Sequence, residues 1–287
     1  MHLVLNTKFF AELDLDRLGA AARTWGYDGL DICARPGHPI TLENADQTLP
    51  AAHRRLQEEG LVCPLVTAPV DFNDPAAPEA ERLYAACAAA GIARIKLGYW
   101  RYREGDDYWE VLERAREALA GFCRLSEQYG VQSCHHTHSG SCIGSNCAGT
   151  MHLVRGFEPQ QVGVYPDFGH IAFDGEDLAM GLAMVRDYLS IVGIKDGCHV
   201  PQAGGQEPAR VPMFVKLGVG SVDWRRVLTL LKGMGFAGDL AVHTEYQFDE
   251  AIIRQVGYAE EKPADLEEFV RQDAAYLRGL MGEVGIS

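Results

Sequence analysis

The feature that most constrains this chain is a repeated alternation of short apolar runs with longer runs of helical period. Residues 3–5 are apolar and β-type, and an amphipathic stretch over 14–25, closed by Gly26, follows. The pairing recurs at 29–33 with 41–59 (closed by Gly60), 61–66 with 78–90 (Gly91), and 92–97 with 106–129 (Gly130). It continues at 131–136 with 146–155, 162–165 with 176–189, 191–195 with 222–234 (Gly235), and 240–245 with 263–280. A glycine just past a helix suits the left-handed position that turns the chain into the next strand. Strict alternation of strand and helix predicts a parallel sheet covered by helices. Eight such units in 287 residues predict an α/β fold, a single (β/α)8 TIM barrel spanning 1–287, because barrels of about 250 residues form one domain. No Gly-x-Gly-x-x-Gly turn follows the first strand, which argues against an open dinucleotide-binding sheet.

In a barrel the C-terminal strand ends gather at one face, where active sites sit. Four of these ends carry chemistry: Cys134-His135-His136-Thr137-His138, Asp167-Phe168-Gly169-His170, Lys195-Asp196 and His243-Thr244-Glu245-Tyr246. Strand side chains alternate, so residues two apart share a face. His136 and His138 then point together above Cys134, as do Gly193 with Lys195 and His243 with Glu245. The inward ring at the mouth becomes His136, Asp167, Lys195 and Glu245, a set that suits a divalent or zinc-type ion. His135 faces the other way and reads as packed under a helix. His243 lies one layer below Glu245, as core or as support for a ligand. Asp196 either pairs with a lysine or caps a turn. Asp31 is a pocket or a structural acid. Phe72, Tyr99, Trp100 and Tyr246, also at strand ends, are either sugar-binding walls or barrel packing.

Composition narrows the class of partner. The net charge is −14, which opposes a nucleic-acid groove, since such grooves work by neutralising phosphates. At 47% apolar and 23% charged the chain is ordinary globular material. No run of about 18 apolar residues is present to span a membrane. The N-terminus enters a strand without a basic-then-apolar signal, so the expectation is a cytoplasmic protein. Oligomeric state is left open, a homo-oligomer included. The eight cysteines form no Cys-x-x-Cys pair and read as small buried thiols. Cys134, Cys142 and Cys147 flank the histidine cluster, but their spacing is not that of a zinc knuckle. Residues 35–40 and 68–78 are Pro-containing top-face loops. The long stretch 197–220, with Gly204-Gly205-Gln206-Glu207-Pro208 within it, reads as a lid-like loop over the substrate.

Several segments, taken in order, resemble the xylose isomerase-like TIM barrels, a superfamily of sugar-phosphate isomerases and epimerases. They are Val162-Gly163-Val164-Tyr165-Pro166-Asp167-Phe168-Gly169-His170, Ile194-Lys195-Asp196, Leu217-Gly218-Val219-Gly220-Ser221-Val222-Asp223-Trp224, and Gly235-Phe236-Ala237-Gly238-Asp239-Leu240 leading to Glu245. The resemblance implies one divalent ion held by Glu, Asp, His and Glu from strands five to eight. Asp167 and Glu245 match the second and fourth of these, and His170 matches a histidine that contacts substrate. His136 stands where the first Glu is expected and Gly193 where the His is expected, so this is a divergent branch. His138 or His199 would compensate. The metal set expected is therefore His136, Asp167, Glu245 and His138. Imidazole in place of carboxylate lowers the negative charge and favours Zn, Mn, Fe or Co over Mg.

The activity so implied is a metal-dependent isomerase or epimerase of a small carbohydrate, a sugar or keto sugar, acting by proton abstraction beside a carbonyl and an enediolate. Glu245 is the expected base, with His136 or Lys195 returning the proton and Lys195 also suited to hold an oxyanion. A dehydratase or lyase on a keto sugar or keto cyclitol, and a non-catalytic sugar-binding barrel, are the alternatives. No glycine-rich phosphate loop stands out, which points to an unphosphorylated substrate.

Overall fold

Each expected β-type run forms a strand, and each is buried on both faces, as parallel strands under helices must be. In chain order the computed structural model, which describes residues 1–201, 210–246 and 266–286, begins with β1 (Leu3–Asn6), α1 (Leu15–Trp25), β2 (Gly29–Cys33) and α2 (Ala45–Glu58). Next come β3 (Val62–Thr67), α3 (Pro78–Ala90), β4 (Arg94–Lys96), α4 (Tyr108–Tyr129), β5 (Gln132–His136) and α5 (Cys147–Val154). The rest comprises β6 (Val162–Tyr165), α6 (Phe168–Asp174), α7 (Leu178–Val185), β7 (Ile191–Ile194), β8 (Asp196–Pro201), β9 (Arg210–Val215), α8 (Trp224–Gly233), β10 (Asp239–Val242) and α9 (Leu266–Val284).

Eight parallel strands run in the order β6-β5-β4-β3-β2-β1-β10-β7. Bridges Val164 to Leu189 and Asp167 to Gly193 join β6 to the β7 edge and close the ring. The fold is thus the single (β/α)8 barrel that the alternation predicts. Gly26 and Gly91 end α1 and α3 at φ 93° and 75°, a conformation that side chains resist. Asp14, Asp107, Asp177 and Asp223 cap α1, α4, α7 and α8 by accepting backbone N–H bonds. Inside the barrel the lower layer is apolar: Val4, Leu65, Cys134, Tyr165, Ile191 and Ala241 pack together. All eight cysteines are free thiols.

Two features depart from the expected layout. A seven-residue helix, α6, begins directly after Asp167, whose side chain caps it by accepting from the His170 N–H. The stretch read as a lid-like loop over 197–220 instead contains an antiparallel hairpin, β8 with β9, registered from Asp196 opposite Val215 to Pro201 opposite Arg210. Its tip, 202–209, lies outside the described residues, as do the first residues of the helix expected over 263–280. Asp196 anchors the hairpin base: its carboxylate accepts from the N–H groups of Gly197, Gly218, Gly220 and Val222 and from Trp224 Nε1. It is a turn cap, not a lysine partner.

Candidate active site

Two residues above the apolar layer the same strands turn polar. Val4 gives way to Asn6, Leu65 to Thr67, Cys134 to His136, Tyr165 to Asp167, Ala241 to His243, and then Glu245 follows. These positions surround a cavity of about 300 Å³ lined by Asn6, Thr67, His136, His138, His170, Lys195, His243 and Glu245 among others.

Asp167 is the centre of the cluster and is fully buried. Its Oδ1 accepts the His170 N–H at 3.1 Å, and its own N–H donates to Thr137 Oγ1 at 2.8 Å. Oδ2 faces His136 Nε2 at 3.2 Å, Lys195 Nζ at 3.5 Å and His243 Nδ1 at 3.6 Å. The ligand atoms of His136, Asp167 and His243 all lie within 4.8 Å of one another, the one such trio among the described residues. The two imidazoles are parallel, 5.2 Å apart with 2° between their planes. Their far nitrogens meet tyrosine hydroxyls: Tyr99 on His136 Nδ1 at 3.1 Å, and Tyr165 on His243 Nε2 at 2.8 Å.

That pattern fits a divalent cation. A phenol can donate or accept, so each tyrosine can hold its imidazole in the tautomer that leaves the inner nitrogen bare. Partnered far nitrogens are what metal-bound histidines show. Burial first, then the charges of Lys96 and Lys195, push His136 far below the ordinary histidine range. Burial does the same to His243, against the pull of Asp167. Both rings are therefore neutral, as ligands must be. Two imidazoles and one carboxylate suit a zinc, iron, cobalt or manganese ion more than magnesium.

The expected site residues divide around this trio. His136 and Asp167 come together as the sequence implies. Glu245 and His138, also expected as ligands, line the cavity outside the trio. Glu245 Oε1 lies 3.5 Å from Lys195 Nζ and 3.4 Å from Lys8 Nζ. Burial alone would raise its carboxyl, but Lys195 and Lys8 outweigh that and hold it well below the usual carboxylate range. His138 turns Nδ1 to the Ser139 carbonyl at 2.7 Å and packs its ring 3.9 Å from that of His170. His199, weighed as a substitute ligand, packs on Phe173.

Gly193 explains the rearrangement. A Cβ at that position would lie 2.9 Å from both Cα and Cβ of Asp167. Without a side chain there, Asp167 packs against β7, and His243 from the neighbouring barrel strand comes within 3.6 Å of its Oδ2. Lys195 rises from β7 between the two carboxylates. Its Nζ also lies 2.8 Å from His170 Nε2, while His170 Nδ1 accepts the Ser139 N–H at 3.2 Å and faces Ser139 Oγ at 2.9 Å. Burial, then Lys195, push His170 far below its ordinary value. Phe214 of the hairpin covers Lys195, its ring centroid 4.1 Å from Nζ.

Sequence reading did not place His243 beside His136 and Asp167, nor the tyrosine hydroxyls behind the histidines. Parity offered a signal for Tyr165, two residues before Asp167 on the inward face. His135, read as packed, stacks on Trp100 with planes 19° apart, and burial brings it down to about 4.

A parallel eight-stranded barrel with imidazoles, carboxylates and a lysine converging at the strand ends defines a TIM-barrel protein with a polar site at its top face. Residues 19–272 match the family described as xylose isomerase-like TIM barrel, and the chain belongs to it. Among solved structures it is similar to 3-keto-D-glucoside 4-epimerase, YcjR, from E. coli, at TM-score 0.72 and 15% identity over 97% of this chain and 99% of that one. It is also similar to a xylose isomerase-like TIM barrel protein from Mycobacterium smegmatis in complex with magnesium, at TM-score 0.69 and 13% identity over 99% and 97%. The probable 3-DHS dehydratase AsbF from Bacillus anthracis gives 0.68 and 14% over 97% and 99%. At such identities the likeness is one of fold. No curated protein sequence matches the chain. Among the described residues no helix is long and apolar enough to cross a membrane.

Proposed function

We propose that this protein is a divalent-metal-dependent isomerase or epimerase of a small keto sugar, working by proton abstraction beside the carbonyl. The observation that carries the reading is one cluster that brings together the His136-Asp167-His243 trio, Glu245 and a buried Lys195 between the two carboxylates. A bound ion on His136, Asp167 and His243 would polarise the substrate carbonyl as a Lewis acid.

The chain's own groups supply the proton steps. Glu245 is ionised and is the base that takes the proton from the carbon next to the carbonyl. Lys195 is shared between Glu245 and Asp167; as Glu245 becomes neutral, the ammonium turns its attraction to the enediolate oxygen that gains charge. The Lys195 ammonium gives one of its own protons to the opposite face or neighbouring carbon, and His170, its Nε2 2.8 Å from Nζ, holds Lys195 in place. Phe214 and Tyr99 wall the cavity and exclude water, which strengthens each of these interactions.

The same abstraction ends in dehydration when the neighbouring carbon carries a hydroxyl that Lys195 can protonate as it leaves. The likeness to a probable dehydratase of the same fold keeps that reading as the runner-up. Incubating the metal-loaded protein with candidate ketoses in D2O and following them by NMR separates the two. Deuterium entering one carbon with mass otherwise retained supports the isomerase; loss of water supports the dehydratase. No exchange into any keto sugar tried, under conditions where the sugar binds, would sink the proton-transfer reading.

A further inference from the structure

The arc of the mouth facing the ligand trio carries more positive charge than the proton-transfer chemistry uses. Lys8, Arg35, Lys96, Arg101 and Lys195 all line the cavity, and Glu245 is the only carboxylate among its described lining residues. This excess of cations sits in a chain of net charge −14. Lys8 and Lys195 are ion-paired to Glu245. Arg35 and Lys96 are not: among the described residues neither lies within ion-pair reach of any carboxylate.

Lys96 ends β4 and is 1% exposed. Its ammonium lies 4.0 Å from the centroid of the Tyr99 ring, a contact that leaves its hydrogens unbonded. Arg35 follows β2, and its buried Nε has no hydrogen-bond partner. The buried acid Asp31 has its oxygens taken by Asn6 Nδ2 at 2.6 Å and Thr67 Oγ1 at 2.7 Å. Burial, then the Arg35 charge, bring Lys96 down to about 7. Two cations lining one cavity without a salt-bridged acid are costly unless something neutralises them.

We infer that Arg35 and Lys96 form an oxyanion subsite, and that the substrate is an acidic keto sugar whose carboxylate or phosphate they hold. The inference rests on the proposed proton-transfer reading for the identity of the reacting end. The anionic group would dock at the tops of β2 and β4 while the carbonyl faces the trio on β5, β6 and β10. Holding one end by charge-assisted bonds fixes which carbon faces Glu245. The specificity is then against neutral ketoses, which leave both cations unpaired.

The test is calorimetric titration of the zinc- or manganese-loaded protein with D-fructose, with D-fructose carrying a terminal phosphate, and with a keto-gluconate. Wild type is expected to bind at least one of the two anions roughly tenfold or more tighter than D-fructose, and the tighter of the two identifies the group. In Lys96→Met and Arg35→Met that ratio falls toward one. Metal content and thermal midpoint, read on the same samples, show that the variants are folded and loaded; Arg35, on a loop, carries the test alone if Lys96→Met does not fold. D-fructose binding as tightly as both anions, or variants that keep the preference, would overturn the subsite. Solvent deuterium exchange, read separately, keeps the two proposals apart: anion preference without exchange upholds the subsite and refutes the chemistry, and exchange without anion preference does the reverse.

Discussion

The lower and upper layers of the barrel interior are built on the same strands, two residues apart, and do opposite work. Below, Val4, Leu65, Cys134, Ile191 and Ala241 fill the barrel with apolar volume around Tyr165. Above, Asn6, Thr67, His136, Gly193 and His243 continue the same inward face, joined by Asp167, Lys195 and Glu245. Tyr165 belongs to both, with its ring in the lower layer and its hydroxyl on His243. The lower layer holds the strand ends rigid, so the upper one can keep neutral imidazoles, a carboxylate and an ammonium at fixed separations.

The largest effect expected from breaking this contrast is at Asp167. Asp167→Asn removes the one charged ligand and the partner of Lys195. Solvent exchange into a bound keto sugar should fall by roughly a hundredfold or more, with the bound metal lost, as read by NMR and elemental analysis. Leu65→Ala should act on the other layer: about 2–5 kcal/mol lost from stability in urea melts, with one metal ion per folded chain retained. Metal loss in that variant at low temperature, where it is folded, would mean the layers are not separable.

A smaller effect sharpens the boundary itself. Tyr165→Phe keeps the ring and deletes the hydroxyl that supports His243, so metal affinity should weaken by roughly ten- to a hundredfold while the urea midpoint moves little. The smallest effect is in pH dependence, which the apolar layer cannot supply. Asp31, in the upper layer, is raised by burial to about 6 from an ordinary 3.8. Its folded value exceeds its unfolded one, so its contribution to stability is full below about pH 4 and is lost as pH rises through 6. The buried histidines, lowered on folding, slope the other way. The difference between wild type and Asp31→Asn isolates the acid: relative stability should shift in favour of the variant by on the order of 2 kcal/mol between pH 4 and 7. No pH dependence in that difference would contradict the burial of an ionisable Asp31.

The layering was legible in the sequence because strand alternation is strict. Parity put His136 above Cys134 and His243 below Glu245, and the structure keeps that order. Apolar runs and closing glycines likewise located the strands, with α3 falling on the expected residues 78–90. What was not legible depends on neighbours across strands. Nothing local says that Gly193 lets Asp167 press onto β7 until His243 reaches it, or that Lys195 then stands between Asp167 and Glu245. The short α6 escaped because Asp167 reads as a strand end, although an Asp followed three residues later by a bonded N–H is also a helix cap. The β8–β9 hairpin was hidden by Pro201, Pro208 and Pro212, which read as loop; the apolar Met213-Phe214-Val215 run was the available signal. Lys96 passed unnoticed because a lone lysine at a strand end has no motif, and only the cavity reveals that it faces inward without an acid.

The proposed chemistry depends on which side chains hold the ion. The direct measurement is the number of metal ions per chain after loading with zinc or manganese and desalting, for wild type, His243→Gln and Glu245→Gln. One ion per chain in wild type and Glu245→Gln, with almost none in His243→Gln, is the result predicted. Retention in His243→Gln together with loss in Glu245→Gln would contradict the trio and return Glu245 to the ligand set.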